Sequence, residues 1–415
     1  MTRSRLIFAI TGIVLIGNLV FGVHLYSDIV RENGDDQGYR EMRRFAGVMR
    51  LIRKNYVDAE KVSYGDLITG ALNGMLGSLD RFSSYIPPDG YQKMREETEG
   101  EFGGIGVVVS ARDDLLTVVA PMEDSPGMKA GIKAGDQIIQ IEGEDSTDMA
   151  LDEAVNRIKG KPGTKIQLTV FRPSTEQAIE FEVERAIIEI ATVKDAKYIE
   201  PGLAYVRVTQ FNEKTSDALE EAIDKLQNQD EMKGLVLDLR NNPGGLLTSA
   251  IEVSSHFVEA KKLIVFTEGR PGTEKDEYYS QRGAKFLDVP MAILINGGSA
   301  SAAEIVAGCL QDYDRALLVG EKSFGKGSVQ SIIEQDDGSA VRLTTAKYYT
   351  PSRRVIHENG IKPDIVVELN DEIASQLYQQ RTRPTGAFRP PEAQPDLEDP
   401  QLARALLAIQ GKELP

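Results

Sequence analysis

"MAILINGGSASAAEIVAGCLQDY", Met291 to Tyr313, decides how this chain is to be read. A short, almost wholly apolar run meets Gly-Gly, then small residues, then good helix formers: a buried strand, a tight turn and a helix. The turn sets Ser301 at the helix start. The positive end of the macrodipole and unpaired backbone N–H groups there can steady an oxyanion, which is what acyl transfer needs. Ser299 is the second serine in reach of that role. Ser301 and Glu304 also fit the Ser-x-x-Glu capping box, which by itself would account for a serine here.

A nucleophilic serine needs a base, because its hydroxyl is unreactive at neutral pH. His24 lies in an apolar amino-terminal run, and neither His256 nor His357 sits in an orienting motif. "VGEKSFGKGSVQS", Val319 to Ser331, offers Lys326 between two glycines, where the chain can approach closely and little crowds the amine. Its ordinary pKa of about 10.4 must fall by roughly three units, which burial can produce. An extended strand here would place Lys326, Ser328 and Gln330 on one face. "LDLRNNPGGLL", Leu237 to Leu247, is a strand running into a glycine-rich turn.

Around these motifs, "GLVLDLR" and "ALLVGE" are further continuous apolar runs that alternate with helical segments, the pattern of a doubly covered sheet in an α/β core. From Gly100 to Arg185 the runs shorten and take strand character ("IGVVVS", "LLTVVAP", "DQIIQIEG", "KIQLTVFR", "AIEFEVER"), which predicts a compact β-rich domain. Within it, "GEFGGIGVVVS" frees consecutive N–H groups to face an anion such as a peptide carboxylate. Residues 31–91 read as helices, with Phe45, Val48, Met49, Leu51 and Ile52 near a helical repeat, a segment expected to pack or dimerise. The tail after Glu368 reads as a Pro-rich, charged linker, then a helix from Pro400 to Ile409. Its Leu402, Leu406 and Leu407 form a stripe expected to serve association rather than the core.

Arg3 and Arg5 precede an uncharged apolar run, Leu6 to Tyr26, long enough to cross a hydrocarbon core. The flanking charge predicts that everything after it faces the far side of the membrane, with the run kept as an anchor rather than removed as a signal peptide. The formal charge of -16 leaves no basic field for nucleic acid. One cysteine, Cys309, and three histidines make a structural zinc site and an internal disulfide untenable, and "EQDDG" at 334–338 lacks the spacing of a calcium loop.

Two resemblances sharpen this reading. "DSPGMKAGIKAGDQIIQIEG", Asp124 to Gly143, resembles PDZ domains of envelope proteases. It implies that a peptide adds as an extra strand beside Val107 to Ser110, its carboxylate near the amides of Gly104, Ile105, Gly106 and Val107. Ala154, Val155 and Ile158 of "LDEAVNRIKG" would then line the other wall of the groove. "GSASAAEI" and "FGKGSVQ" together resemble the carboxy-terminal processing peptidases, also called tail-specific proteases, and the likeness extends from Tyr39 to Val367. That family implies Ser301 as nucleophile, Lys326 as general base and Gln330 as the residue orienting it. The oxyanion is held by the amides of Ala302 and of the Gly244–Gly245 turn, with Gly245 preferred.

The expected fold is an α/β protease core, crotonase- or Clp-protease-like by resemblance, with an inserted PDZ domain and amino-terminal helices. The expected segments are 1–27 signal or anchor, 28–98 helical, 99–187 PDZ, 188–368 peptidase core and 369–415 linker and tail helix. The implied activity is a cell-envelope serine endopeptidase without a cofactor, acting on proteins or peptides with apolar C-termini and gated by its PDZ domain. It would be periplasmic, oligomerise through terminal helices and take an adaptor protein as a possible partner. The rival readings are a PDZ adaptor with an inert core, and a hydrolase using His256 or His357 as base. Asp312 reads as a helix-end structural residue and Cys309 as a small buried hydrophobe.

Overall fold

The computed structural model describes residues 36–112, 115–122, 124–147, 149–272, 275–281, 283–382 and 397–411. The Leu6–Tyr26 run and most of the Pro-rich linker lie outside them. Among the described residues no helix is long and apolar enough to cross a membrane. The chain divides into two compact units, residues 1–85 and 86–415.

The first unit holds α1 (Asp36–Asn55) and α2 (Tyr64–Gly77). Ser63 caps α2 by accepting from the Asp66 amide at 3.0 Å. The apolar positions that define α1 stay exposed within the chain, Met42, Phe45, Val48 and Leu51 among them.

The second unit opens with α3 (Pro88–Glu99), started by a proline in its first turn and stopped by Gly100 at φ 76°. A two-stranded ribbon follows, β1 (Glu101–Gly104) with β7 (Ala186–Glu189). It frames an antiparallel sheet of β2 (Val107–Arg112), β3 (Leu115–Pro121), β4 (Gln137–Ile141), β5 (Lys165–Arg172) and β6 (Gln177–Glu184). One face of that sheet closes over Ile105, Leu116, Ile138, Ile166 and Leu168, with α4 (Leu151–Ile158) as lid. Among the described residues strand β2 pairs only with β3, so its outer edge is open beside α4.

The larger core is a six-stranded sheet in the order β8 (Val193–Glu200), β9 (Leu203–Val208), β10 (Gly234–Asp238), β13 (Met291–Ile295), β14 (Leu317–Gly320) and β17 (Ile365–Val366). All neighbours after the β8–β9 pair are parallel. Every residue of β10 and β13 is buried, as their unbroken apolar runs predict. Helices α5 (Thr215–Gln229), α6 (Leu247–Ser255) and α7 (Ala302–Asp312) contribute Leu219, Ile223, Ala250 and Ile305 to one core cluster. A second, antiparallel sheet joins β15 (Ser328–Glu334), β16 (Ala340–Tyr349), β11 (Leu263–Glu268) and β12 (Lys275–Tyr279).

The other face of the large sheet corrects an expectation. Helix α9 (Pro400–Ile409) packs Ala405 and Leu406 against Leu203, Tyr205, Val236 and Leu294, and so belongs to the core. A strand apolar on both faces needs a cover on each, and α9 supplies the second. A buried charge network holds it there. Arg240 pairs with Asp238 at 2.6 Å and with Asp399, the α9 cap, at 2.8 Å. Arg381 of α8 (Asp371–Thr382) reaches Asp238 at 3.3 Å, and the Tyr205 hydroxyl donates to it at 2.7 Å.

Candidate active site

Three loops converge at the carboxyl ends of β10, β13 and β14, where open α/β sheets place their sites. The first is the turn ending in Ser301. Ser301 is buried and adopts φ 56°, ψ −116°, a conformation L-residues rarely hold. Such strain at a strand-to-helix turn is the price of pushing one side chain out of a tight bend while the following amides start a helix. Ser299 takes no such position. Its hydroxyl donates to Leu239 O at 2.8 Å and accepts from Asn296 N at 3.0 Å, which ties the turn to β10.

The second loop is Asn241–Leu246. Buried Asn242 shapes it: its Oδ1 accepts from Gly244 N at 2.9 Å, its Nδ2 donates to Val208 O, and its carbonyl accepts from Ala300 N at 2.9 Å. Gly244 lies so close to the nucleophile turn that a Cβ there would stand 2.6 Å from Ser301 Cβ and 2.9 Å from Ala302 N. The Gly244 amide is thus occupied, while those of Gly245 and Ala302 have no hydrogen-bond partner among the described residues. Gly245 at φ 145° is pressed onto Phe211 O, where a Cβ would come within 1.9 Å.

The third loop carries Lys326. It precedes β15 rather than lying in it, so the strand alternation expected for Lys326, Ser328 and Gln330 does not extend to the lysine, while Ser328 and Gln330 do share a face, their side chains 3.3 Å apart. Gly327 permits the close pass: a Cβ there would sit 2.1 Å from His357 N. Burial lowers the Lys326 pKa, the Arg342 charge lowers it further, and Glu304 opposes both.

Glu304 joins the first and third loops, and the sequence reading gave it no more than a capping role. Its Oε2 accepts from the amides of Ser301 and Lys326, each at 2.8 Å, and its Oε1 accepts from Ser323 Oγ at 2.5 Å and Gly325 N at 2.7 Å. One oxygen therefore fixes the Ser301 and Lys326 main chains within twice 2.8 Å of each other. Burial raises the Glu304 pKa, and the four donors pull it back. The capping-box spacing was the signal that could have found this residue, but nothing local shows its other three partners.

Gln330 bonds within the hairpin: its Nε2 donates to Thr344 Oγ1 at 2.8 Å and Ser328 Oγ at 3.3 Å, and its buried Oε1 has no partner among the described residues. His256 Nε2 shares a hydrogen with Ser216 Oγ at 2.9 Å, its Nδ1 lying 3.7 Å from Glu220. His357 leaves Nδ1 buried and without a hydrogen-bond partner among the described residues. Cys309 is fully buried, which pushes its thiol pKa up, and Asp312 accepts from Ser352 N at 2.8 Å and pairs with Arg354.

In the β-rich domain, the Ile105 and Gly106 amides have no partner among the described residues, while Ile105 O accepts from Gly127 N at 2.7 Å. Gly104 ends β1, and Val107 begins the open edge of β2. Gly106, at φ 69°, fits against Ser125, whose Cβ would lie 2.4 Å from an added Cβ. Ile105, Ala154 and Ile158 are interior core residues, so of the three α4 positions expected to line a groove only Val155 stands half-exposed.

Comparison with known proteins matches residues 93–171 to the PDZ domain and 202–367 to Peptidase family S41. The chain is 42% identical over 370 residues to the carboxy-terminal-processing protease of Bartonella bacilliformis, covering 88% of this chain and 82% of that protein. It is 36% identical over 346 residues to the carboxy-terminal processing protease CtpA of Bacillus subtilis, covering 83% and 73%. In fold it is similar to a putative S41 protease of Bacteroides fragilis, with a TM-score of 0.50 at 17% identity over 88% of this chain and 97% of that one. Sequence, fold and convergent loops agree: this chain belongs to the carboxy-terminal processing proteases, PDZ-containing serine peptidases of family S41.

Proposed function

We propose that Ser301 and Lys326 are the catalytic pair of this protease and that residues 99–187 choose its substrates. The observation that carries the reading is the Glu304 oxygen shared by the Ser301 and Lys326 amides. Neutral Lys326, made less basic by burial, takes the Ser301 proton, and Ser301 Oγ attacks the scissile carbonyl. The Gly245 and Ala302 amides, both without a partner among the described residues, receive the oxyanion. The lysine ammonium then protonates the leaving amine, and water clears the acyl-enzyme.

Gln330 positions the lysine in this reading, its partnerless Oε1 accepting from the lysine amine after a side-chain turn. A substrate C-terminus adds along the open edge of β2, its carboxylate on the amides from Gly104 to Val107 and its last apolar side chain toward Val155. Peptide binding there shifts the enzyme toward its working form. Helix α9 completes the hydrolytic body of residues 188–368. We place the enzyme outside the cytoplasm, held to the inner membrane by residues 6–26, with the exposed apolar positions of α1 as its self-association surface.

Cleavage of casein by residues 28–415 tests this. Ser301→Ala and Lys326→Ala abolish it, while His256→Ala and His357→Ala retain it. Cleavage surviving in Lys326→Ala moves the role of base to another residue.

A further inference from the structure

Two backbone amides from different loops must converge on one oxygen to hold the oxyanion, Gly245 from the loop after β10 and Ala302 from the turn after β13. Inside the fold these loops are tied twice, by Ser299 Oγ donating to Leu239 O at 2.8 Å and by Ala300 N donating to the Asn242 carbonyl at 2.9 Å. A third tie stands at the surface and uses two side chains to which the mechanism gives no part. Asn296, half-buried just past β13, accepts at Oδ1 from Asn241 N at 2.9 Å and from Gly298 N at 3.0 Å. Its Nδ2 donates to Asn241 Oδ1 at 3.1 Å. The two amide donors settle which end of the Asn296 carboxamide is oxygen, and that in turn sets the Asn241 oxygen toward Asn296.

Asn241 is exposed and left-handed at φ 57°, a backbone that asparagine tolerates better than most side chains. It lies against the nucleophile turn: a Cβ on Gly298 would stand 2.7 Å from Asn241 Oδ1 and 2.9 Å from its Cα. Hydrogen bonds that exchange freely with water add little to global stability. What this tie fixes is local, the spacing of two loops whose amides must meet at one point. We propose that Asn241 and Asn296 are positioning residues for the reaction, a reciprocal carboxamide link that holds the Gly245 loop and the Ser301–Ala302 turn at the spacing the oxyanion needs. The inference rests on Ser301 as nucleophile and on the Gly245 and Ala302 amides as oxyanion donors. Donors used only in the transition state act on kcat, and their displacement leaves KM in place.

The test uses the full chain and two readings: steady-state cleavage of fluorescent casein, and the rate of Ser301 labelling by a fluorophosphonate, whose phosphoryl oxygen takes the oxyanion's place. Each rate is referred to the folded fraction measured by circular dichroism. Asn241→Asp keeps the oxygen that accepts from Asn296. Asn296→Asp keeps the oxygen that accepts two amides, and the Asn241 carboxamide, with no other partner among the described residues, can turn to donate. Each single variant therefore preserves one donor facing one acceptor, and the double variant sets two carboxylates face to face. The expected kcat losses are about tenfold or less for each single variant, and for the double variant about tenfold or more beyond their product, with KM held and labelling slowed in step. Asn296→Leu, which removes all three bonds, should slow both reactions by roughly 10- to 100-fold.

Losses that simply multiply overturn the proposal, because two charges acting separately on the oxyanion would give the same. So does an Asn296→Leu variant with the wild-type kcat. A raised KM with unchanged labelling also overturns it, by making the pair a substrate contact. Should the doubly acidic variant not fold, Asn241→Gly takes its place, since glycine suits the left-handed backbone and removes only the side-chain arm of the link. A lowered kcat at the wild-type KM in that variant decides for the proposal, and a wild-type kcat decides against it. Labelling that persists in Ser301→Ala refutes the nucleophile assignment itself, a separate failure.

Discussion

Replacing Glu304 with glutamine exchanges one acceptor oxygen of a four-bond clamp for an NH2 group. Whichever way the amide turns, two donors face it. The cheaper turn sets the NH2 toward Ser323 and Gly325, because the Ser323 hydroxyl can rotate and accept, leaving Gly325 N–H orphaned. An unpaired buried donor costs about 1–3 kcal/mol. The Ser301 and Lys326 bonds lose their charge assistance, which adds ~1 kcal/mol each, and relief of the buried charge offsets part of this. The net loss is ~2–5 kcal/mol of local stability. Native-state hydrogen exchange of the Ser301 and Lys326 amides reads it directly, as an acceleration of roughly 30- to 5,000-fold. Casein cleavage should fall about 100-fold or more, since ångström-scale misplacement of catalytic groups costs that much. Exchange and kcat/KM that both stay close to their wild-type values would refute the clamp.

Gly245→Ala forces a Cβ to 1.9 Å from Phe211 O and should lower stability by at least ~2 kcal/mol in urea unfolding, with activity lost at temperatures where the variant still folds. Leu406→Ala, which empties a buried site between α9 and the sheet, should cost ~2–5 kcal/mol; a loss under ~1 kcal/mol would mean that α9 is not core. Asp238 supplies the pH dependence. Burial raises its pKa, but Arg240 and Arg381 outweigh burial and hold it at about 2 against an ordinary 3.8. Because the folded value is depressed, the contribution is present above pH ~4 and lost as pH falls toward about 2. It amounts to ~2 kcal/mol, read as a urea midpoint that drops over that window more steeply than in Asp238→Asn.

The sequence alone determined the elements whose patterning is local. Continuous apolar runs marked β10, β13 and β14, alternating runs marked the strands of the β-rich domain, and the Gly-Gly-Ser-Ala-Ser run set Ser301 at a helix start. A strand's burial and a helix's first turn are written in neighbouring residues, so both were legible. Tertiary structure alone decided the matters that depend on residues distant in the chain. The Leu402–Leu406 stripe of α9 looked free because its partners lie some 200 positions away on β9. Glu304 looked like a cap because three of its four partners sit about twenty residues downstream. Lys326 looked like a residue of the strand that carries Gln330, yet the strand begins only at Ser328. Gly244 and Gly245 are equivalent as letters, and only the Asn242 side chain, by occupying one amide, leaves the other open.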